Sequence, residues 1–426
     1  MTDVVELRRL LHSRAETAFC EVATTATLLE ALAPVLVATG VVVRRGSQAL
    51  DPSAVVGYPP LDVRLAAAGR AVALGCDPLL ADGLARTGTA FTVEIAGDRP
   101  GPTIGLRFDV DALPIVEDLT ARHLPAREGF ACRTGAMHAC GHDGHAAIGV
   151  VLAERLAADR SFPGRVRLLF QPAEEQVRGA AAMIAAGCAV GIDVVIGLHL
   201  GEGLPARVLA ASSSGLQATV KFAVEFHGVS AHSAAAPQEG RNALAAAATA
   251  TLGILALSRD ARGVTNVNVG TIRGGRQSNI VPDHCRIEGE VRSDSDEVCR
   301  SMLARVEQVV AGAALQWDVG HDLVRLSGAG TLRTDTRPAE HAHECALAVA
   351  GTAGVLRSTP MNASDDLATW ATAVQATGGE AVYLVVGASS PAPHHHPLFD
   401  VDESSLPVAV DWLERIVRTY PTGDPR

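Results

Sequence analysis

A chain of 426 residues with 48% hydrophobic and 19% charged residues has globular composition and length for more than one core. Two domains are therefore expected, and a disordered chain is excluded. The formal net charge of −11 argues against nucleic acid or an anionic membrane as partner, but it leaves a small anionic substrate open, because a few local cations decide that.

The opening carries Asp3, Glu6, Arg8 and Arg9 where a secretory leader would be apolar, and the cysteines are scattered without a disulfide framework. Both features fit a reducing cytoplasm. The longest mostly apolar runs, 31–43 and 244–257, fall short of the roughly 20 residues that span a bilayer.

Strand-like and helix-like runs then alternate, the pattern of an α/β domain with a largely parallel sheet. Residues 103–110 read as a buried strand. Residues 144–158 read as a helix, 165–170 as a strand, 177–186 as a helix and 193–199 as a strand. From about Gly215 the pattern becomes strand 219–226, Ala-rich helix 242–257, strands 264–272 and 283–292, and helix 294–311. That order suggests a small α+β domain inserted into the first. Strand 381–386 and helix 403–419 return to the α/β pattern. The expected division is 1–214 and 333–426 for a discontinuous α/β catalytic domain, with 215–332 as the insert.

The residues able to do chemistry gather just past the strand ends, where open α/β sheets bind ligands. The densest group is Met137-His138-Ala139-Cys140-Gly141-His142-Asp143-Gly144-His145. A lone histidine here would read as a turn or cap residue. Several imidazoles, a thiol and a carboxylate this close together read as metal ligands, with Gly141 allowing the sharp turn between Cys140 and His142. Glu174 and Glu175 follow a strand in Gln171-Pro172-Ala173-Glu174-Glu175. Adjacent buried carboxylates need a cation; one can ligate it while the other moves a proton. Alone, the pair reads slightly better as an acidic helix start. His199 ends an apolar strand, and His394-His395-His396 lies past another. Taken together, these positions supply enough ligands for two metals about 3.5–4 Å apart.

In order, the chain carries Gly105-Leu106-Arg107-Phe108-Asp109-Val110-Asp111-Ala112-Leu113-Pro114, the 138–145 run and the 170–175 run. It continues with Gly197-Leu198-His199, Gly228-Val229-Ser230-Ala231-His232-Ser233, Gln277-Ser278-Asn279-Ile280-Val281-Pro282 and 395–399 with Asp402-Glu403. On these motifs it resembles, over nearly its whole length, the aminoacylase/hippurate-hydrolase/indole-acetyl-amino-acid-hydrolase family of metal-dependent amidohydrolases. Leu7-Arg8-Arg9, Ala15-Glu16 and the long insertion before Arg99-Pro100-Gly101-Pro102-Thr103 are most similar to the branch acting on p-aminobenzoyl-glutamate. Gln176-Val177 and Asn362-Ala363 depart from that branch, so the acyl group stays open.

The resemblance implies a di-metal peptidase-like catalytic domain with an inserted lid domain that also forms the dimer. It implies two divalent ions (zinc, manganese or cobalt) with Cys140 bridging them, His142 and His199 on one, and Glu175 and His395 on the other. His395 is preferred to its neighbours by its spacing from Phe399. Glu174 is the implied general base and acid, and Asp109, Asp111 and Asp143 are implied to orient histidine ligands. His232, Asn279 and Arg292 match substrate-contacting positions, with Arg292 pairing with the substrate carboxylate. For Arg292, a strand arginine in a surface ion pair is the competing reading.

The implied activity is hydrolysis of the amide in an N-acyl amino-acid conjugate, by a homodimer or by a heteromer that includes a related B-type subunit. Other readings are a broader N-acyl-amino-acid deacylase, a dipeptidase, a thiol hydrolase using Cys140, and a non-catalytic conjugate-binding relative.

Overall fold

The computed structural model describes residues 1–422. The chain forms two compact units. One comprises Met1–Ser214, Leu332–Met361 and the described residues from Asp365 onward. The other is Gly215–Thr331 with Asn362–Ser364. In chain order the strands are β1 (Val41–Arg45), β2 (Phe91–Ala96), β3 (Arg99–Asp109), β4 (Pro163–Gln171), β5 (Val194–Leu200), β6 (Val208–Ala210) and β7 (Ser213–Ser214). They continue with β8 (Ala218–His227), β9 (Thr265–Gly274), β10 (His284–Ser293), β11 (Gly320–Ala329), β12 (Gly354–Leu356), β13 (Thr359–Pro360) and β14 (Glu380–Val386).

The first unit holds an eight-stranded sheet in the order β1-β2-β4-β3-β5-β14-β6-β12. Its centre, β4-β3-β5-β14, is parallel, whereas β1, β2 and β6 join antiparallel. The sheet is thus more mixed than the reading from sequence expected. The parallel centre is buried on both faces, which is why β5 reads Val-Val-Ile-Gly-Leu-His-Leu with every residue buried. Helix His142–Ala158 is buried almost all round and rich in alanine and glycine. Its Gly149 lets it press on the sheet: a Cβ there would lie 2.8 Å from the Phe108 ring and 3.0 Å from the Phe170 ring. The N-terminal helices Val4–Ser13, Val22–Ala31, Leu61–Ala73 and Pro78–Thr87 and strands β1 and β2 were not anticipated.

The second unit is an antiparallel sheet, β11-β8-β10-β9, with helices Ala243–Leu255 and Asp296–Trp317 packed on one face. Alternation decides which face. Cys285, Ile287 and Val291 of β10 are buried in this core, whereas His284, Arg286, Glu288 and Glu290 point the other way. Strand β11 was missed because it lies at a sheet edge and none of its residues is buried. Among the described residues no helix is long and apolar enough to cross a membrane.

Candidate metal centre

The parallel group ends in the chemistry. Asp109 closes β3, Gln171 closes β4 just ahead of Glu174 and Glu175, His199 is the penultimate residue of β5, and the turn after β14 leads to His395. Between β3 and β4 the chain turns at Gly141, at φ +88°, straight into the helix that starts with His142. That conformation is open to glycine at little cost.

These segments bring together Cys140, His142 and His199, and also Cys140, Glu175 and His395, with the ligand atoms of each trio within 4.8 Å of one another. Cys140 is common to both. Cys140 Sγ lies 3.5 Å from His199 Nε2, and His395 Nε2 lies 3.4 Å from Glu175 Oε2. The other two histidines of the triplet make different contacts. His394 donates to the Leu200 carbonyl (3.2 Å), and His396 Nδ1 accepts the Leu398 N–H (3.1 Å).

Backbone acceptors aim the imidazoles. His142 Nδ1–H donates to the Asp111 carbonyl (2.9 Å) and His199 Nδ1–H to the Leu200 carbonyl (2.9 Å). The His142 Nε2 atom so presented is buried without a hydrogen-bond partner, 3.8 Å from Asp109, 3.9 Å from Glu175 and 4.0 Å from Glu174. An orphaned imidazole nitrogen beside a buried thiol and several carboxylates is the donor set a divalent cation satisfies. The residues therefore fit the two ions implied by the sequence.

Electrostatics point the same way. Burial pushes the Cys140 thiol well above its ordinary range, with Glu175 adding to it. Burial also raises Glu175 to about 7 against the pull of His142. Glu174 is raised well above the carboxylate range by burial, then by Asp365, Glu175 and Asp366. Such crowding of acids needs added positive charge.

Asp111 Oδ1 lies 3.4 Å from His142 Nδ1. Asp109 accepts from His145 Nδ1–H (2.5 Å), and His145 Nε2 in turn accepts the Leu200 N–H (3.0 Å). Asp143 differs from the expectation. It touches none of the clustered ligands and instead meets Arg8 Nε and His12 Nδ1, each at 2.8 Å. The reason is helical geometry, since successive residues point about 100° apart and Asp143 faces away from His142.

Several residues not singled out from sequence support the centre. Arg107 is fully buried and meets Asp109, Asp365 (2.8 Å), Asp366 (2.8 Å) and Gln171 (3.2 Å). Glu21 Oε1 accepts the Ala173 N–H (3.0 Å), fixing the turn before Glu174, where Ala173 sits at φ +57°. Arg107 stands inside a quoted motif, so a buried strand arginine was the available signal. Asp365, Asp366 and Glu21 gave none.

In the second unit, the Gly228–Ser233 and 277–282 segments pair: His232 bridges Ile280, and the Ser233 N–H donates to the Asn279 carbonyl (3.0 Å). His232 is exposed on this turn, its Nδ1 accepting the N–H groups of Ala234 and Ala235 at 3.2 Å. This pairing lies where β8 ends and β10 begins. Arg292 sits near the other end of β10, bonded to Glu290 (3.0 Å). The run of β10 from His284 to Arg292 spans roughly 26 Å. One chain therefore does not bring Arg292 to Asn279 or His232.

Fold and site together define a metal-dependent amidohydrolase. A model of peptidase family M20/M25/M40 matches residues 105–419. The chain belongs to that family. It is 35% identical over 426 residues to indole-3-acetyl-aspartic acid hydrolase of Enterobacter agglomerans, covering 99% of this chain and 96% of the relative. It is 39% identical over 339 residues to one of the subunits of p-aminobenzoyl-glutamate hydrolase from Escherichia coli strain K12, covering 79% and 77%. The crystal structure of aminobenzoyl-glutamate utilization protein from Klebsiella pneumoniae superposes with a TM-score of 0.84 at 31% identity, over 99% of this chain and 97% of that one.

Proposed function

We propose that this enzyme hydrolyses the amide bond of an N-acyl amino-acid conjugate of the p-aminobenzoyl-glutamate kind, releasing an amino acid with a free α-carboxylate. The observation that carries the reading is the convergence of Cys140, His142, Glu175, His199 and His395 beside the buried acid Glu174. Two divalent ions would be held there: one by His142 and His199, the other by Glu175 and His395, with Cys140 shared. The thiolate favours zinc, while the carboxylate and imidazoles also suit manganese or cobalt. When bound, the ions supply Lewis acidity and make the attacking water easier to deprotonate.

The protein's own groups do the rest. Glu174, kept basic by burial and neighbouring acids, takes the proton of the attacking water and later gives it to the leaving amine. The Asp111 carbonyl holds the His142 imidazole, and Asp109 holds His145 behind it. His232 donates to the developing oxyanion, and Arg292 pairs with the substrate carboxylate.

The separation of His232 from Arg292 within one chain favours a dimer in which His232 serves the partner's site. Free, buried cysteines throughout the described residues suit a reducing cytoplasm. A related B-type subunit is a further partner, suggested by the naming of the Escherichia coli relative as one subunit of its hydrolase.

The test is a side-by-side assay of p-aminobenzoyl-glutamate, indole-acetyl-aspartate, N-acetyl amino acids and dipeptides, before and after chelator dialysis and metal return. Conjugates with a blocked α-carboxylate should lose most of their kcat/KM. Full turnover in metal-free protein would sink the mechanism. Preference for dipeptides or simple N-acetyl amino acids would move the assignment to a dipeptidase or a broader deacylase.

A further inference from the structure

The chain leaves β5 through Gly201, Glu202 and Gly203, all at positive φ: 94°, 48° and 71°. Glycine occupies this region freely, whereas a residue with a Cβ is disfavoured there. A glutamate between two such glycines is therefore a strained choice for a turn, and strain of this kind points to a use for the side chain.

That side chain turns inward. It is 18% exposed, with Oε1 3.3 Å from His199 Nδ1 and 3.9 Å from His394 Nε2. The opposite nitrogen of His199, Nε2, faces Cys140 Sγ at 3.5 Å. His394, packed on Phe399 with ring centroids 4.7 Å apart, closes the other side. Beyond Glu202 lies a cavity of about 670 Å³ bordered by Leu204, Pro205, Ser389 and Pro391. Truncating the glutamate would extend this space and leave no sealed void.

We propose that Glu202 is a positioning residue. Its carboxylate, with the Leu200 carbonyl, fixes the His199 ring so that Nε2 points at the thiolate, and it strengthens that nitrogen as a donor to a divalent ion. The proposal rests on His199 being a ligand, as assigned under Proposed function.

Manganese or zinc is titrated calorimetrically into chelator-stripped full-length wild type, Glu202→Gly, Glu202→Gln and His199→Ala. Melting is followed separately in chelator. Glu202→Gly should weaken one binding step about 10–100-fold and leave the other unchanged. In chelator it should melt no lower than wild type, because glycine relieves the backbone strain. Glu202→Gln keeps an acceptor oxygen and should weaken the same step less. If His199→Ala loses a step that Glu202→Gly retains at full strength, the positioning role is wrong and the ligand assignment stands. If His199→Ala keeps both steps, the assignment fails and this proposal with it. Lower melting in chelator with unchanged metal binding would mark Glu202 as structural only, also overturning the proposal.

Discussion

Asp111 grips the turn that carries Glu174, accepting its backbone N–H at 3.0 Å through Oδ1. The other oxygen, Oδ2, accepts the N–H of Glu175 at 3.1 Å. One buried carboxylate thus sets the backbone of two consecutive acids whose side chains are assigned different tasks. Glu174→Gln is nearly isosteric and should keep its metal while turnover drops at least ~100-fold, the low end for loss of a general base. Glu175→Gln should lose metal instead. Metal analysis of the two purified variants distinguishes them, and the reverse pattern would exchange the roles.

Arg107 stands at the centre of Asp109, Asp365 and Asp366, all buried. Replacing it by glutamine keeps hydrogen-bonding capacity and removes the guanidinium charge that faces all three acids. Breaking a buried pair from one side leaves uncompensated charge, typically costing about 3–5 kcal/mol. Urea unfolding of Arg107→Gln should show a loss of that size. A loss below ~1 kcal/mol would mean that the acids are neutral in the native protein and the guanidinium is not their counter-ion.

His12 is wholly buried between Asp143 (2.8 Å) and Glu117 (3.0 Å). Burial disfavours its charge, but the hydrogen bonds to those carboxylates win and raise its pKa from 6.5 to about 9. The folded protein therefore binds this proton more tightly than the unfolded chain. Its stabilisation is fully present below about pH 6.5 and is lost as pH rises through about 9. The shift corresponds to a few kcal/mol at most, at about 1.4 kcal/mol per pH unit. The stability gap between wild type and His12→Gln, from urea curves, should narrow between about pH 6.5 and 9.5. A gap constant over that window would show that His12 is not charged in the fold.

What could be read from sequence follows from where each signal resides. The candidate ligand segments were legible for two reasons: Cys140 and His142 lie in a dense run of imidazoles, thiol and carboxylate that opens a helix, and Glu174, Glu175 and His199 sit at or just past strand ends. His395 needed a spacing argument; in the structure its Nε2 lies 3.4 Å from Glu175, while His394 and His396 are bonded to Leu200 and Leu398. Asp143 misled because adjacency in sequence is not adjacency on a helix. Asp365, Asp366 and Glu21 were invisible because they act across long sequence separations. Arg107 meets Asp365 from 258 residues away, and no local pattern encodes such a meeting. Edge strand β11 hid for a different reason. It has no buried face to impose a strong hydrophobic alternation.

The distance along β10 between the His232 end of the sheet and Arg292 gives the last prediction. If both residues serve one active site, they come from two copies of the chain. His232→Ala alone and Glu174→Gln alone should each be nearly inactive. In a mixed dimer, the protomer that keeps Glu174 receives an intact His232 from its partner, so one site works. Random assembly of equal amounts makes about half the dimers mixed, and activity should return to roughly a quarter of wild type for a symmetric pair. The mixture must be unfolded and refolded, or co-expressed with distinct tags, so that protomers exchange. If His232 acted within its own chain, every site in the mixture would lack one group and no activity would return. Light scattering settles the premise first, since a protein that is monomeric at assay concentration has no partner to supply His232.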